Sequence, residues 1–339
     1  MINHVSDLRT AYQLRIRRKR LLFRAFRKRR QLTNITINAA DIKKTDILAF
    51  VTLRNEIHRL PYFLDHHRSL GVTHFFIVDN NSDDGSTDFL KSQSDISLWS
   101  TSHSYKLSRF GMDWLTWLMI KFGHGHWCLT LDADEIFIYP HWNTRPLDAL
   151  TKWLDQTGER SFGAMMLDLY PSGKVGTMPD AYSPFKTLKW FDRGNYTQIR
   201  QHKLQNLWIQ GGVRARCFFD QEPERAPTMG KIPLVKWDRS YTYVSSTHSL
   251  LPRNLNHVYD MQGGEKTSGI LLHTKFLPSI VKKSEEEKQR QEHFANSALY
   301  DQYYDALTEN PDLWCAYSTR LYGWKQLEAL GLMSKGGWA

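Results

Sequence analysis

Short apolar runs alternate with segments of helical spacing through the first half of the chain. The strand-like runs lie at residues 46–53, 73–80, 96–100 and 126–135. Two segments between them, residues 60–70 and 111–123, place apolar side chains three and four positions apart, which is the helical period. Strands that alternate with helices of this length predict an α/β fold with a doubly wound, mostly parallel sheet. Because the runs are apolar without alternation, we expect helices on both faces of that sheet.

The pattern is less regular after Ile138. Strands are predicted for residues 162–169, 211–219 and 269–273, and a short antiparallel unit for the two segments 231–237 and 241–250. From residue 278 onward, polar and apolar residues alternate with helical spacing. The expected organisation is an N-terminal extension (1–41), one large domain (42–277) and a C-terminal helical segment (278–339).

Polar clusters follow three of the strand-like runs. They are R-N-E at 54–56, D-N-N-S-D-D-G-S at 79–86 and D-A-D-E at 132–135. Open α/β sheets bind ligands at the carboxyl ends of their strands, so the three clusters predict one site at that edge. Two carboxylates spaced D-x-D can share a divalent cation such as Mg²⁺ or Mn²⁺. Without a metal or hydrogen bonds, burying two such charges would be costly.

The net charge of +10 arises from one segment. Residues 14–30 contain ten Lys or Arg and no acid, interleaved with Leu and Phe side chains. This composition predicts a basic amphipathic helix on an anionic membrane surface. A solvated, disordered tail and a segment that binds nucleic acid or a protein partner are the alternatives. A footprint for nucleic acid over the whole protein would spread the charge more widely.

No window approaches 18 uninterrupted apolar residues, and we expect neither a membrane-spanning helix nor a signal peptide. The three cysteines, Cys128, Cys217 and Cys315, lie far apart and predict neither a disulfide framework nor a cysteine zinc site. The expected location is the cytoplasm, peripheral to the inner face of the membrane.

Two stretches together resemble a known family. "VTLRNEIHRLPYFLDHHRSLGVTHFFIVDNNSDDGSTDFL" followed by "WCLTLDADE" is similar to glycosyltransferase family 2, which has the GT-A fold. The similarity is strongest to the bacterial subgroup with an R-N-E opening and a D-A-D-E metal motif, and "KIPLVKW" and "LLHTKF" extend it. The resemblance implies metal-dependent transfer of a sugar from a nucleotide-sugar donor, most often a UDP-sugar. The implied acceptor is a hydroxyl of a saccharide or lipid-linked molecule, in surface polysaccharide or glycolipid synthesis.

The resemblance also implies roles for individual residues. The nucleotide would be bound by Thr52, Arg54, Glu56, Asp79, Asp83 (or Asp84), Gly111 and Asp132, with Arg109 nearby. The metal, Mn²⁺ or Mg²⁺, would be held by Asp132, Asp134 and His273. The cations that could stabilise the departing diphosphate are Arg214, Arg216, Lys231, Lys236 and Lys275.

The general base is not marked by a motif. Many family 2 enzymes carry a Glu-Asp pair downstream, and none follows "GGVRARCF" here. The candidates are Asp168, Glu222, Asp238 and His248, and the choice between inversion and retention stays open.

Other classes explain less of the pattern. A nucleotidyltransferase would have a glycine-rich loop after the first strand, and "TLRNEIHRL" contains no glycine. A phosphatase with an aspartyl nucleophile carries D-x-D at its first strand rather than its fourth. A non-enzymatic membrane or nucleic-acid adaptor would account for the basic segment but not for the three acidic clusters.

Overall fold

The computed structural model describes residues 4–177, 181–259, 266–290 and 301–338. The helices are α1 (His4–Lys28), α2 (Leu60–Leu70), α3 (Ser86–Lys91), α4 (Met112–Leu118), α5 (Leu147–Gln156), α6 (Gly212–Phe218), α7 (Ile280–Arg290), α8 (Asp301–Thr308) and α9 (Trp324–Ala329). The first strands are β1 (Thr33–Thr36), β2 (Ile47–Leu53), β3 (Val72–Asp79), β4 (Ile96–Ser100), β5 (Trp127–Leu131), β6 (Glu135–Ile138) and β7 (Ser161–Asp168). The later strands are β8 (Trp190–Asp192), β9 (Tyr196–Arg200), β10 (Leu207–Gly211), β11 (Gly230–Lys236), β12 (Thr242–Tyr243), β13 (Leu250–Leu251), β14 (Gly269–His273) and β15 (Ser318–Arg320).

One mixed sheet organises the molecule, with strand order β1-β4-β3-β2-β5-β11-β7-β14-β6. Strands β4, β3, β2 and β5 are parallel neighbours, and β7 and β14 form a second parallel pair. Strand β11 runs in the opposite direction between β5 and β7, and β1 and β6 are antiparallel at the edges. The prediction of an α/β fold with a mostly parallel sheet is therefore confirmed. Segment 231–237 was expected in a small antiparallel unit and instead completes this sheet.

Both faces of the sheet are buried. Successive residues of a strand point to opposite faces, and in β2 Ala49 and Val51 pack into one core while Leu48 and Phe50 pack into the other. Helix α2 covers the first face with Phe63 among others, and α4 covers the second. This two-sided burial explains why the strands are apolar without alternation.

Residues 211–219 were predicted as a strand, and that prediction is wrong, because most of the segment forms α6. Its alternation of apolar and basic residues has the period of a strand. In a helix, side chains two positions apart point about 200° away from each other. Arg214 accordingly contacts Asp168 at 2.7 Å and Arg216 contacts Asp192 at 2.8 Å, in two different strands.

The basic N-terminal segment forms α1, which packs against α4 and is not a solvated tail. Among the described residues, no helix combines the length and the apolar character that crossing a bilayer requires. The C-terminal segment contributes α7, α8 and α9, and residues 291–300 of the predicted helical stretch lie outside the described residues.

Candidate functional site

A cleft of about 620 Å³ lies at the carboxyl edge of the sheet, where β2, β5 and β14 end. Strand β11 and strand β6 run in the opposite direction, so their first residues reach the same edge. The residues that line the cleft from the sheet include Thr52, Asp132, Asp134, Lys231 and His273. The loop before α4 adds Tyr105 and Phe110, and α7 adds Ile280 and Lys283. The cleft therefore lies at the edge of the sheet where the three polar clusters predicted a site.

Two acids of the D-A-D-E motif share one lysine. The ammonium of Lys231 donates to Oδ2 of Asp132 at 2.7 Å and to Oε1 of Glu135. Glu135 is fully buried, and burial raises its pKa to about 7. Burial opposes the charge on Lys231, but Asp132 and Glu135 outweigh it and raise the pKa of the lysine. Lys231 is thus a fixed cation beneath the motif, and Asp134 is not among its partners.

Asp134 contacts a histidine instead. Oδ2 of Asp134 lies 3.0 Å from Nε2 of His273, and Nδ1 of the same ring donates to Oδ1 of Asp168 at 2.5 Å. Arg214 donates from Nε to the other oxygen of Asp168 at 2.7 Å. Burial opposes the charge on Asp134, but His273 outweighs it and keeps the pKa of Asp134 well below its usual value. The four side chains form a buried chain of alternating charge that ends at the cleft.

Two of the three predicted catalytic residues do not line the cleft. Asp168 is 2% exposed, and both of its oxygens are occupied by His273 and Arg214. Burial disfavours its charge, but Arg214 outweighs this and lowers its pKa to about 2, so it is not a proton acceptor for a substrate. Asp238 follows the end of β11 and therefore lies at the amino edge of β5, near His124. The positions of Asp168 and Asp238 therefore do not favour either residue as a general base.

The third predicted base, His248, lines the cleft. Its Nδ1 donates to the carbonyl of Gly230 at 2.7 Å, which leaves Nε2 without a proton in the neutral ring. Burial, together with the charge of Lys231, lowers the pKa of His248 to about 4. The imidazole is therefore neutral near pH 7. Glu222, a further candidate, forms an ion pair with Arg225 instead.

Three of the predicted nucleotide-binding residues, Thr52, Arg54 and Glu56, line the cleft. Thr52 is 8% exposed, and its hydroxyl has no hydrogen-bond partner among the described residues. Arg54 donates to the carbonyl of Asn80 at 3.1 Å. Glu56 accepts from Arg59 and forms an ion pair with Lys283, each at 2.6 Å. Of these three side chains, Thr52 through its hydroxyl and Arg54 through its Nε have unused hydrogen-bonding capacity among the described residues.

The acids after β3 hold two loops together, and they do not line the cleft. Asp79 accepts from Ser82 and Thr87. Asp84 accepts from the backbone N–H of Ile57 at 3.0 Å. The N–H of Asp83 donates to the Asn55 side chain at 2.9 Å, and the Asp83 carboxylate faces solvent. The placement of Asp79, Asp83 and Asp84 at the nucleotide is therefore not supported by their positions.

Gly111 directly precedes α4 and lies behind Thr52. A Cβ atom at this position would lie 2.6 Å from Oγ1 of Thr52, so no larger residue fits without displacing it. Arg109 turns away and donates to Asp113 at 2.8 Å and to the carbonyl of Tyr243 at 2.6 Å. Gly111 is thus a packing position behind the cleft wall, and Arg109 links the loop before α4 to β12.

Among the predicted cations, Arg214, Lys231 and Lys275 line the cleft. Arg216 forms an ion pair with Asp192, and Lys236 forms one with Asp155. Neither Arg216 nor Lys236 lines the cleft.

Sequence reasoning missed Arg59 and Lys283. Arg59 is 7% exposed and reaches the carbonyl of Thr274 at 3.3 Å, while Lys283 comes from α7, more than two hundred residues along the chain from Glu56. Arg59 could have been predicted to lie at the site because it closely follows the R-N-E motif in sequence. Nothing in the sequence around Lys283 indicates that it lies there.

The predicted metal ligands are brought together only in part. Within the described ranges, no group of three His, Cys, Asp or Glu side chains is arranged as a ready metal site. Asp132 is engaged by Lys231, which leaves Asp134 and His273 as a pair. Two ligands bound at right angles to one cation at 2.0–2.1 Å lie about 3 Å apart, which is the separation of this pair. Asp168 fixes the far nitrogen of the ring, an arrangement common behind metal-bound histidines.

No family model matches this chain, and no curated protein matches it. Among solved structures, the chain is similar to HddC from Yersinia pseudotuberculosis, with a TM-score of 0.29 and 10% sequence identity. That alignment covers 72% of this chain and 99% of HddC. At this TM-score the likeness supports no conclusion about fold or function.

Proposed function

We propose that the protein is a metal-dependent glycosyltransferase with a GT-A type core, related to family 2. It transfers a sugar from a nucleotide-sugar donor, most simply a UDP-sugar, to a hydroxyl acceptor in surface polysaccharide or glycolipid synthesis. The observation that carries the proposal is the convergence of Asp134, His273 and Thr52 on one cleft at the carboxyl edge of the sheet. The motifs that resemble family 2 supply these residues from three separate parts of the chain.

The donor nucleotide is assigned to the side of the cleft formed by the end of β2. The unpartnered hydroxyl of Thr52 supports this assignment, because a buried polar atom without a partner is costly unless a ligand satisfies it. Arg54 lines the same side and brings a positive charge. Gly111 leaves room for the Thr52 side chain, because it has no Cβ atom. We therefore assign to Gly111 the role of positioning Thr52 rather than of contacting the nucleotide.

The donor set fits a divalent cation. Asp134 offers a carboxylate, and His273 offers an imidazole once a cation displaces the Nε2 proton that it shares with Asp134; the mixed set favours Mn²⁺ over Mg²⁺. When bound, the cation supplies positive charge that offsets the charge developing on the leaving diphosphate. Asp168 holds the His273 ring in place and Arg214 holds Asp168, so the pair is positioned before any ligand arrives.

The remaining charges of the cleft act on the same leaving group. Lys231 and Lys275 line the cleft and are at most 8% exposed, so their charges are poorly screened by water. Lys231 is fixed by Asp132 and Glu135 and acts from a constant position.

His248 is the proposed proton acceptor for the hydroxyl nucleophile. It is neutral near pH 7, and its bond to the carbonyl of Gly230 selects the tautomer with an unprotonated Nε2. Its protonation state and its place on the cleft wall suit a hydrogen-bond acceptor for the hydroxyl, while the lowered pKa makes the ring a weak base.

The test is a calorimetric titration of UDP into the full chain, with and without Mn²⁺. We expect binding that requires Mn²⁺ and that falls at least tenfold in Asp134→Asn. The matched control is Asp238→Asn, because this aspartate lies at the opposite edge of the sheet and should leave the affinity unchanged.

The titration is repeated with GDP and other nucleoside diphosphates if UDP does not bind. Folding of each variant is checked by its urea unfolding curve. If no nucleoside diphosphate binds to folded protein, the donor site is wrongly assigned and the proposed function fails.

A further inference from the structure

The basic helix α1 is held on the domain by one of its faces. Leu14 is 4% exposed and packs with Val244 and Leu251, and Ala25 is fully buried. Arg24 donates to Asp113 of α4 at 2.6 Å. These contacts fix which face of the helix points outward.

That outward face carries large apolar side chains. Leu8 is 71% exposed, Tyr12 66%, Phe23 62% and Phe26 46%. At 100° per residue, these four positions fall within about 60° of one another on the helix surface. Elsewhere in the described chain, nothing packs over Leu8, Tyr12 or Phe23 closely enough to bury them. Leu8 and Tyr12 form one apolar patch, and Phe23 and Phe26 form a second patch about 16 Å further along the same face of the docked helix. The ring of Phe26 also packs edge-on against Trp117 of α4, which leaves Phe23 as the more exposed member of the second patch.

Basic side chains surround this surface. Lys19 falls in the same sector, Arg15 lies about 20° beyond one edge of it, and Arg9, Arg20 and Arg27 border the other edge; all five residues are exposed. The single acid between residues 4 and 30 is Asp7, and it is already paired with Arg253 at 2.5 Å. Within residues 4–30, no other acid is therefore left to balance the charge of the outward face.

The combination of exposed apolar side chains and basic side chains favours one kind of binding partner. Nucleic acid would neutralise the arginines, but its phosphates offer nothing to Leu8 and Phe23. A bilayer interface accepts apolar side chains at the boundary with the acyl chains and cations at the level of the headgroups. Anionic headgroups add attraction for every Lys and Arg near the surface.

We propose that the outward face of α1, defined by Leu8, Tyr12, Phe23 and Phe26 with its surrounding arginines and lysine, binds an anionic lipid bilayer. The helix lies in the plane of the interface while its inner face stays on the domain. Binding through this face does not depend on the proposed glycosyltransferase activity.

The experiment is co-sedimentation of the full chain with vesicles. One set contains phosphatidylcholine alone, and the other contains one third phosphatidylserine. We expect binding to the anionic vesicles only, weakened by salt. The variant Leu8→Ser/Tyr12→Ser/Phe23→Ser should bind at least tenfold more weakly, and so should Arg15→Gln/Lys19→Gln.

The control is Tyr317→Ser/Tyr322→Ser, since these tyrosines are 83% and 78% exposed but lie outside α1. It should bind vesicles as the wild type does. Urea unfolding of every variant confirms that the domain is intact.

Three results would overturn the proposal. The first is absence of binding to anionic vesicles, and the second is equal binding to both vesicle types. The third is unchanged binding by the triple serine variant. A short DNA duplex serves as competitor, and tight duplex binding that is insensitive to the triple substitution would assign the face to nucleic acid instead.

Discussion

Nδ1 of His273 lies 2.5 Å from Oδ1 of Asp168, and this contact determines which ring nitrogen faces the cleft. The sequence suggested that the histidine was a ligand and the aspartate a base. In the structure both belong to one unit, in which the aspartate orients the ring and Arg214 orients the aspartate. A residue that orients a ligand can be tested separately from the ligand itself.

Asp168→Asn is expected to weaken Mn²⁺ binding by about 10- to 100-fold, because the ring of His273 loses its fixed orientation. Isothermal titration with Mn²⁺ measures this directly. The matched control is Asp192→Asn, which removes the partner of the other arginine of α6 and leaves the cleft untouched. Equal Mn²⁺ affinity in wild type and Asp168→Asn would show that the orientation of His273 is irrelevant to metal binding.

Lys231→Met is expected to lower the free energy of unfolding by about 3–5 kcal/mol, because it leaves Glu135 buried without its partner. Urea unfolding gives the change. The double variant Lys231→Met/Glu135→Gln should recover most of the loss, since no buried charge then remains unpaired at this point. A double variant as unstable as the single one would mean that the ion pair is not the source of the effect.

Gly111→Ala should destabilise the protein and also weaken nucleotide binding. The position has φ +76°, which costs an alanine roughly 1–2 kcal/mol, and its Cβ would press against Thr52. Gly125→Ala is the control, because it shares a positive φ of +87° but its Cβ would meet open space. Titration with UDP should show weaker binding for Gly111→Ala alone, and a similar loss in both variants would contradict the role of Thr52.

Stability should fall as the pH drops from about 7 towards 5.5. His67 is fully buried, and burial keeps its pKa well below the usual value. Its Nδ1 donates to the carbonyl of Phe63, and its Nε2 accepts from the N–H of Phe137, so the folded state has no place for a second ring proton. The unfolded chain takes up that proton near pH 6.5, which favours unfolding by up to about 1.4 kcal/mol per pH unit below it.

Urea unfolding at several pH values tests this dependence. His67→Gln should flatten the decline, whatever its effect on stability at pH 7. His58→Gln, at an exposed histidine, should leave the slope as it is in the wild type. An unchanged slope in His67→Gln would assign the pH dependence to other groups.

The strands of the sheet could be predicted because each is buried on both faces and therefore apolar throughout. The short helix α6 could not, since its two arginines at alternating positions imitate a strand. They alternate because each reaches a different aspartate, and those partners lie 46 and 24 residues earlier in the chain.

The acids of the site were recognised by type but not always by role. Asp79 and Asp84 follow a strand as ligand-binding acids do, yet they accept hydrogen bonds from neighbouring loops. The pairing of Lys231 with Asp132 joins residues 99 positions apart and leaves no local trace in the sequence. The spacing within a motif predicts which side chains bind a ligand only if those side chains do not already pair with residues from distant parts of the chain.

Asp113 is a junction between the two proposed surfaces. It is fully buried in α4, and it accepts from Arg24 of α1 and from Arg109 beside the cleft rim. A helix lying on a bilayer through its outer face would therefore hold the cleft mouth at one height and one tilt above the lipid. Acceptors would then be selected by reach: a short lipid-linked sugar and a longer one would present different hydroxyls to the same fixed opening.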